Sequence, residues 1–263
     1  MEKLALFDTH THLNAQQFDG REDEIVAAAR ENGVKYLAVV GFDEKTIAKS
    51  LDYAENYQNI ISVIGWHPTE ARRYSPEIEA RLEKDLERDQ VKMLGEIGLD
   101  YYWKDSSKDE QKRVFRRLIA MAKEHNLPIT IHNRDASEDC YQILKEEGLP
   151  DAGGIMHSFG EGPEYAKKFL DLGMHLSFSG VLTFKKTEDV RQSALLVPDD
   201  RLLIETDAPY LAPEPKRGKE NQPAYVRYVA ERMADLKGRT LQEIADLTST
   251  NAFNLFKWDP DND

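Results

Sequence analysis

Residues 4–12 read Leu4-Ala5-Leu6-Phe7-Asp8-Thr9-His10-Thr11-His12, an uncharged apolar run closed by a polar cluster. The run suits a buried strand, with the cluster at its C-terminal end. Along a strand, residues i and i+2 point to the same side, so His10 and His12 aim both imidazoles at one point. On a helix the same spacing would splay them roughly 200° apart. Two neutral imidazoles on one face, with Asp8 close by, begin a transition-metal site. Alone, the pattern also fits two solvated histidines, and what decides is whether the later chain supplies partners.

The later chain alternates β and α signals. Asp23 to Asn32 has helical spacing and stops at Asn32-Gly33, a C-terminal cap signal. Strand-like runs follow at Lys35–Val40, Ile60–Gly65, Val91–Leu94, Leu127–Ile131, Gly153–Met156, Met174–Phe178 and Arg201–Ile204. Helical segments separate them, among them Glu44–Tyr57, Lys108–His125, Ala136–Glu147 and Gly162–Leu172. Ser75-Pro76-Glu77 places a cap before a first-turn proline, opening a helix to about Asp89. A proline-rich loop spans Pro209–Pro223, and two helices close the chain, the second with the capping box Thr240-x-x-Glu243. Eight such units in one domain over residues 1–263 fit an α/β (β/α)8 TIM barrel. A doubly wound open sheet is the alternative, but no G-x-G-x-x-G fingerprint is present.

Position is the informative fact. His10, His12, Glu96, His132, His157 and Asp207 each fall at the C-terminal end of an expected strand. In a parallel barrel those ends meet at one face, where such folds keep their chemistry. Six metal-ligating side chains from five strands would converge there. His67 also follows a strand and is either a hand on the substrate or a packing residue beside Pro68. His125, in the last turn of a long helix, complements the helix dipole, and His175 starts a strand at the opposite rim.

Composition narrows the class. The net charge of −13 argues against broad nucleic-acid binding, which usually leaves a basic footprint. It leaves room for an enzyme that holds phosphate with metals and a few local cations. Pairs such as Arg72-Arg73 and Lys185-Lys186 read mainly as solvated faces. The single cysteine, Cys140, excludes an internal disulfide and suits a reducing cytosol. No stretch approaches the ~18 apolar residues of a membrane span, and the opening shows no signal-peptide pattern. The expectation is a cytoplasmic protein with no membrane association and no obligate protein partner.

The sequence resembles the TatD family of metal-dependent hydrolases, within the amidohydrolase-like barrels, over essentially its whole length. The motifs are Asp8-Thr9-His10-Thr11-His12, Gly65-Trp66-His67-Pro68, Gly95-Glu96-Ile97-Gly98-Leu99-Asp100-Tyr101, Ile131-His132-Asn133-Arg134, His157-Ser158-Phe159, Glu205-Thr206-Asp207-Ala208-Pro209-Tyr210-Leu211 and Asn251-Ala252-x-x-Leu255-Phe256. One departure is Thr69, where many members carry a second histidine. The resemblance implies that His10, His12 and Asp207 ligate one metal ion and His132 and His157 a second. It gives Glu96 the bridging place, which a carboxylate can fill because its two oxygens can each serve one cation. Glu205, two residues before Asp207 on the same strand face, reads as a group supporting the metal site or orienting substrate.

Two cations ~3.5–4 Å apart can lower the pKa of a shared water from about 15.7 toward 7, worth on the order of 12 kcal/mol at neutral pH. Asp207, with Glu96 a catalytic candidate, would take the water's proton. Arg134, Arg217 and Asn221 would grip phosphate, and Trp66, Tyr101, Tyr102 and Trp103 would either stack a base or pack. The residues themselves support a two-metal hydrolase, and the resemblance implies hydrolysis of a phosphodiester by a deoxyribonuclease of exonuclease type, acting transiently on a DNA strand end. The alternative is an ester, lactone, amide or phosphotriester substrate at the same two ions. A histidinol-phosphatase-like enzyme would add a third set of ligands, absent here, and a non-catalytic barrel would show eroded ligands. Mixed imidazole and carboxylate ligands suit zinc, manganese, nickel or iron, and magnesium less comfortably.

Overall fold

Among the residues described by the structure, a computed structural model covering 4–260, eight parallel strands are paired in chain order. They are β1 (Leu6–Thr11), β2 (Val34–Gly41), β3 (Ile60–Ile64), β4 (Val91–Asp100), β5 (Ile129–Arg134), β6 (Gly154–Met156), β7 (His175–Phe178) and β8 (Leu202–Ile204). Helices return the chain between them: α1 (Glu22–Glu31), α2 (Glu44–Asn56), α3 (Pro76–Leu86), α4 (Lys108–Glu124), α5 (Ser137–Glu147), α6 (Pro163–Asp171) and α7 (Glu188–Leu196). Then α8 (Val226–Lys237) and α9 (Leu241–Phe256) follow β8. This is the expected (β/α)8 barrel in one domain.

The period-2 alternation of the strands builds two apolar layers. In β2, Leu37 and Val39 face the helices, while Ala38 and Val40 face the barrel interior with Phe7, Ile61, Val63, Met93 and Leu203. The end of the barrel away from the strand C-termini is closed by aromatic rings. Phe7 stacks on Phe256 at 5.4 Å between centroids and meets Trp258 edge-on at 5.7 Å. The last helix thus plugs one mouth and leaves the other for polar groups.

Between β8 and β1 the ring is closed by side chains as much as by backbone. Thr9 Oγ1 donates to the Ile204 carbonyl at 2.9 Å. Asp8 accepts from the Thr206 backbone at 2.8 Å and from its hydroxyl at 2.5 Å. Beyond them, Asp207 N–H donates to the His10 carbonyl at 2.9 Å and His12 N–H to the Ala208 carbonyl at 2.8 Å. Asp8 is fully buried, and burial raises its pKa well above the usual carboxylate range. Its work is to hold this seam.

Most boundaries fall within a few residues of the expectation, and two strand ends matter for the site. β4 runs through to Asp100 and β5 through to Arg134, so Glu96 and His132 lie within strands, not after them. The apolar run Val91–Leu94 stops short of Gly95 and Gly98, yet these glycines do not break the strand. Instead they permit close approach: a Cβ at Gly65 would lie 2.5 Å from the Gly95 carbonyl carbon, and one at Gly95 2.2 Å from Thr130 Cγ2. Gly65→Ala is therefore expected to destabilise the protein by about 1–3 kcal/mol, the usual cost of forcing a methyl into filled space. An unchanged midpoint in denaturant-induced unfolding followed by circular dichroism would contradict this packing.

Candidate metal centre

His10 is the last but one residue of β1, and its direction comes from a bulge. Asp8 pairs with Leu37 and Thr11 with Val39, so β1 carries one residue more than β2 over that interval. β4 does the same beside Glu96, where Leu94 pairs with Ile129 and Ile97 with Ile131. A bulge turns side chains away from simple alternation. Here the two bulges turn His10 and Glu96 toward each other.

Glu96 is the centre of the cluster. Its Oε2 lies 3.5 Å from His10 Nε2 and 3.8 Å from His12 Nε2. Its Oε1 lies 2.7 Å from His132 Nδ1 and 2.8 Å from His157 Nε2. Asp207 Oδ1 adds an oxygen 3.3 Å from His12 Nε2 and 3.8 Å from His10 Nε2. Asp207 holds a left-handed backbone with φ of 56°, which aspartate tolerates better than most residues.

The outer contacts of three rings decide which nitrogen carries the proton. His12 Nδ1 faces the Val40 carbonyl at 3.1 Å, His132 Nε2 faces Asp100 Oδ2 at 2.9 Å, and His157 Nδ1 faces Glu205 Oε1 at 3.2 Å. Carbonyls and carboxylates accept, so each outer nitrogen donates and the inner one keeps a lone pair. Lone pairs of these nitrogens facing Glu96 at such distances need positive charge among them, whether protons or cations. The titration tendencies agree. Burial alone would raise Glu96, but His157, His10 and His132 hold it well below the usual carboxylate range. Burial would lower His157, but Glu96 and Glu205 lift it well above the ordinary imidazole value.

The donor set fits metal ions. His10, His12 and Glu96 offer three atoms within 4.8 Å of one another, as do His10, His157 and Glu205, and His67, Glu96 and His132. Both ring nitrogens of His10 and Oε2 of Glu205 are buried without a hydrogen-bond partner. An isolated imidazole and carboxylate oxygen left so would be costly, and a cation is a ready partner for each.

The remaining expected residues divide. Glu205 is fully buried, takes the Ser158 N–H at 2.7 Å and orients His157. His67 Nε2 stands 3.7 Å from Glu96 Oε1, inside the cluster. Arg134 lies at the rim with its guanidinium 3.9 Å from the Tyr102 ring centroid. Asn221 is a correction: it is fully buried, and its amide donates to the Thr206 and Tyr210 carbonyls at 2.9 and 2.6 Å, so it pins the loop after β8 and has no group free for phosphate. Arg217 is exposed but lies over Phe184 at 3.9 Å, on the loop rather than in the cluster. Trp66 is buried with its indole N–H on the Glu70 carbonyl, and the Tyr101 hydroxyl donates to Asp139, so neither is free to stack. Asp100 was given no role by the sequence reading. Its spacing of four from Glu96 was a weak signal, because the bulge beside Glu96 interrupts simple alternation along β4.

Comparison with known proteins bears on the class of this centre. Residues 7–257 match the family model described as TatD related DNase. A Bacillus subtilis (strain 168) protein named "Uncharacterized metal-dependent hydrolase YabD" is 48% identical over 252 residues, covering 96% of this chain and 99% of that protein. The Salmonella typhimurium (strain LT2) protein named "3'-5' ssDNA/RNA exonuclease TatD" is 32% identical, over 96% of this chain and 99% of that one. Among solved structures, YJJV, a TatD homolog from Escherichia coli K12, superposes with a TM-score of 0.91 at 29% identity, over 97% of this chain and 98% of that one.

A cluster of this kind should be stabilised by the ions it holds. Manganese or zinc at a hundred times its dissociation constant is expected to stabilise metal-stripped protein by about 2.7 kcal/mol. For a domain of this size that raises the thermal midpoint by roughly 5–10 °C. Glu96→Gln is expected to lose most of that gain, and a wild-type midpoint indifferent to every divalent ion would contradict the assignment.

Proposed function

The chain belongs to the TatD-related DNase family of metal-dependent hydrolases, and from that premise we propose that it cleaves phosphodiester bonds at a nucleic-acid strand end, using two divalent ions. The observation that carries this reading is the division of Glu96, one oxygen toward His10 and His12 and the other toward His132 and His157. We assign His10, His12 and Asp207 to one ion, His132 and His157 to the other, and Glu96 to both. Four carboxylates around the cluster (Glu96, Asp100, Glu205 and Asp207) match the charge of two divalent cations. Ions bound there supply an acidified water and stabilise charge on a phosphoryl oxygen.

The chain's own groups do the rest. Asp207 accepts the proton of the attacking water: its side chain is 13% exposed against 4% for Glu96, so it opens toward the rim where substrate arrives. Asp100 and Glu205 hold the His132 and His157 rings so that their inner lone pairs stay aimed. At the mouth, Tyr102 and Trp103 are each 51% exposed and Tyr210 is 49% exposed. Large aromatic faces left in water beside a hydrolytic centre suit the stacking of bases. Arg134, lying on Tyr102, adds a guanidinium fork for a phosphate. The relative named as an exonuclease on single-stranded DNA and RNA supports the same substrate class. With a net charge of −13, contact should be local to the strand end and sensitive to salt.

An assay on end-labelled single- and double-stranded oligonucleotides with divalent ions tests the reading. Glu96→Gln should reduce turnover to background with the fold intact. Removing a stacking ring, worth ~1–3 kcal/mol per base, should raise KM for Trp103→Ala by roughly 5–150-fold and leave kcat nearly unchanged. Wild-type protein that carries its ions yet cleaves no DNA or RNA would refute the proposal.

A further inference from the structure

His67 differs from the other rings of the cluster in the kind of group behind it. It stands three residues past β3, with its Nε2 3.7 Å from Glu96 Oε1 and its ring centroid 4.5 Å from that of His132. By distance it would count with Glu96 and His132 as a set of metal donors. The three rings analysed above are backed by acceptors. His67 is backed by a donor: its Nδ1 receives the Thr69 backbone N–H at 3.3 Å and lies 2.7 Å from the Thr69 hydroxyl. A backbone N–H can only donate, so Nδ1 must offer its lone pair. The one proton of the neutral ring then sits on Nε2, facing into the site.

The local chain fixes this arrangement. His67 is the cap residue of the short 3-10 turn Pro68–Arg73, so the N–H that it receives belongs to the turn itself. The Phe42 ring packs edge-on at 5.8 Å and limits rotation of the imidazole. The side chain is 15% exposed, close to the 17% of His132 and above the 1% of His10, so the ring stands on the open side of the cluster.

We propose that Thr69 locks His67 as the Nε2–H tautomer, and that His67 is not a metal ligand but a hydrogen-bond donor to a non-bridging oxygen of the scissile phosphate. This rests on the reading of the rim as a metal-dependent phosphodiesterase. A nitrogen that carries its proton has no lone pair for a cation. It can instead meet an anionic oxygen, and a neutral donor does so without adding charge beside the cations, as an arginine would. The contact strengthens as charge grows on the phosphoryl oxygens, so it acts on kcat more than on binding. Thr69 becomes the residue that sets the proton's position.

The test uses metal-loaded protein, with His67→Ala, His67→Gln, whose side-chain amide keeps an N–H near the place of Nε2, and Thr69→Val. Long-range 1H–15N spectra of histidine-labelled wild type, assigned by the signals lost in His67→Gln, should show Nε2 protonated and Nδ1 bare. Metal content should be unchanged in both His67 variants. With bis(p-nitrophenyl) phosphate and an end-labelled oligonucleotide, His67→Ala should lower kcat by roughly 10²–10³-fold, as loss of one transition-state donor does. His67→Gln should recover at least about tenfold of that. Thr69→Val, which keeps the backbone N–H, should fall between wild type and His67→Ala. The reverse tautomer, loss of an equivalent of metal in His67→Gln, or a His67→Ala kcat equal to wild type would each overturn the proposal. Wild type with the expected tautomer and metal content but no phosphodiesterase activity would refute the nuclease reading, and with it the phosphate as acceptor.

Discussion

A carboxylate with only 4% of its side chain in reach of water must be given positive charge by its surroundings, or it will not stay ionised. Glu96 meets that demand by standing among five imidazoles contributed by four strand ends. Everything else near the rim serves the same balance. The rings need their own acceptors behind them, which Val40, Asp100 and Glu205 supply. Those acids in turn need donors: Asp100 takes the Tyr102 and Trp103 N–H groups at 3.0 Å each, and Glu205 takes that of Ser158. The network therefore runs from a central anion outward to the backbone, each layer oriented by the one behind it.

The barrel makes this possible by dividing its labour between two mouths. The aromatic plug around Phe7, Phe256 and Trp258 fills one end with surfaces that want no water. The opposite end can then be polar without leaving the interior loosely packed. The loop after β8 is held down by Asn221, whose buried amide ties Thr206 to Tyr210. That is why a residue which looked free to touch substrate is spent on structure instead, and why Tyr210 is presented at the mouth.

Much of this was legible in the chain. Alternating apolar runs and helical spacing gave the eight strands, and the polar residue after each run marked the rim. That rule puts His10, His12, His157 and Asp207 at one rim, and the structure brings them together there. Glu96 and His132 join them, although the strands that carry them run further than the apolar runs suggested. What escaped was whatever depends on a bulge or on a partner far away in sequence. No pattern in residues 4–12 announces the extra residue that turns His10 inward. Asp100 lies beyond the apolar run that marks its strand, and its partner His132 is 32 residues on. The burial of Asn221 and Trp66 followed from tertiary packing that a polar loop and a strand end do not advertise.

The seam between β8 and β1 carries a consequence for how the molecule comes into being. Asp8 and Thr206 are 198 positions apart, and the bonds that join them also set Asp207 beside His10 and His12. A chain emerging from the ribosome displays its first two imidazoles long before the acid that completes their surroundings has been made. Ring closure and assembly of the cluster are thus one event, and it comes late. A polypeptide ending before residue 205 would own most of the donor atoms and none of their arrangement.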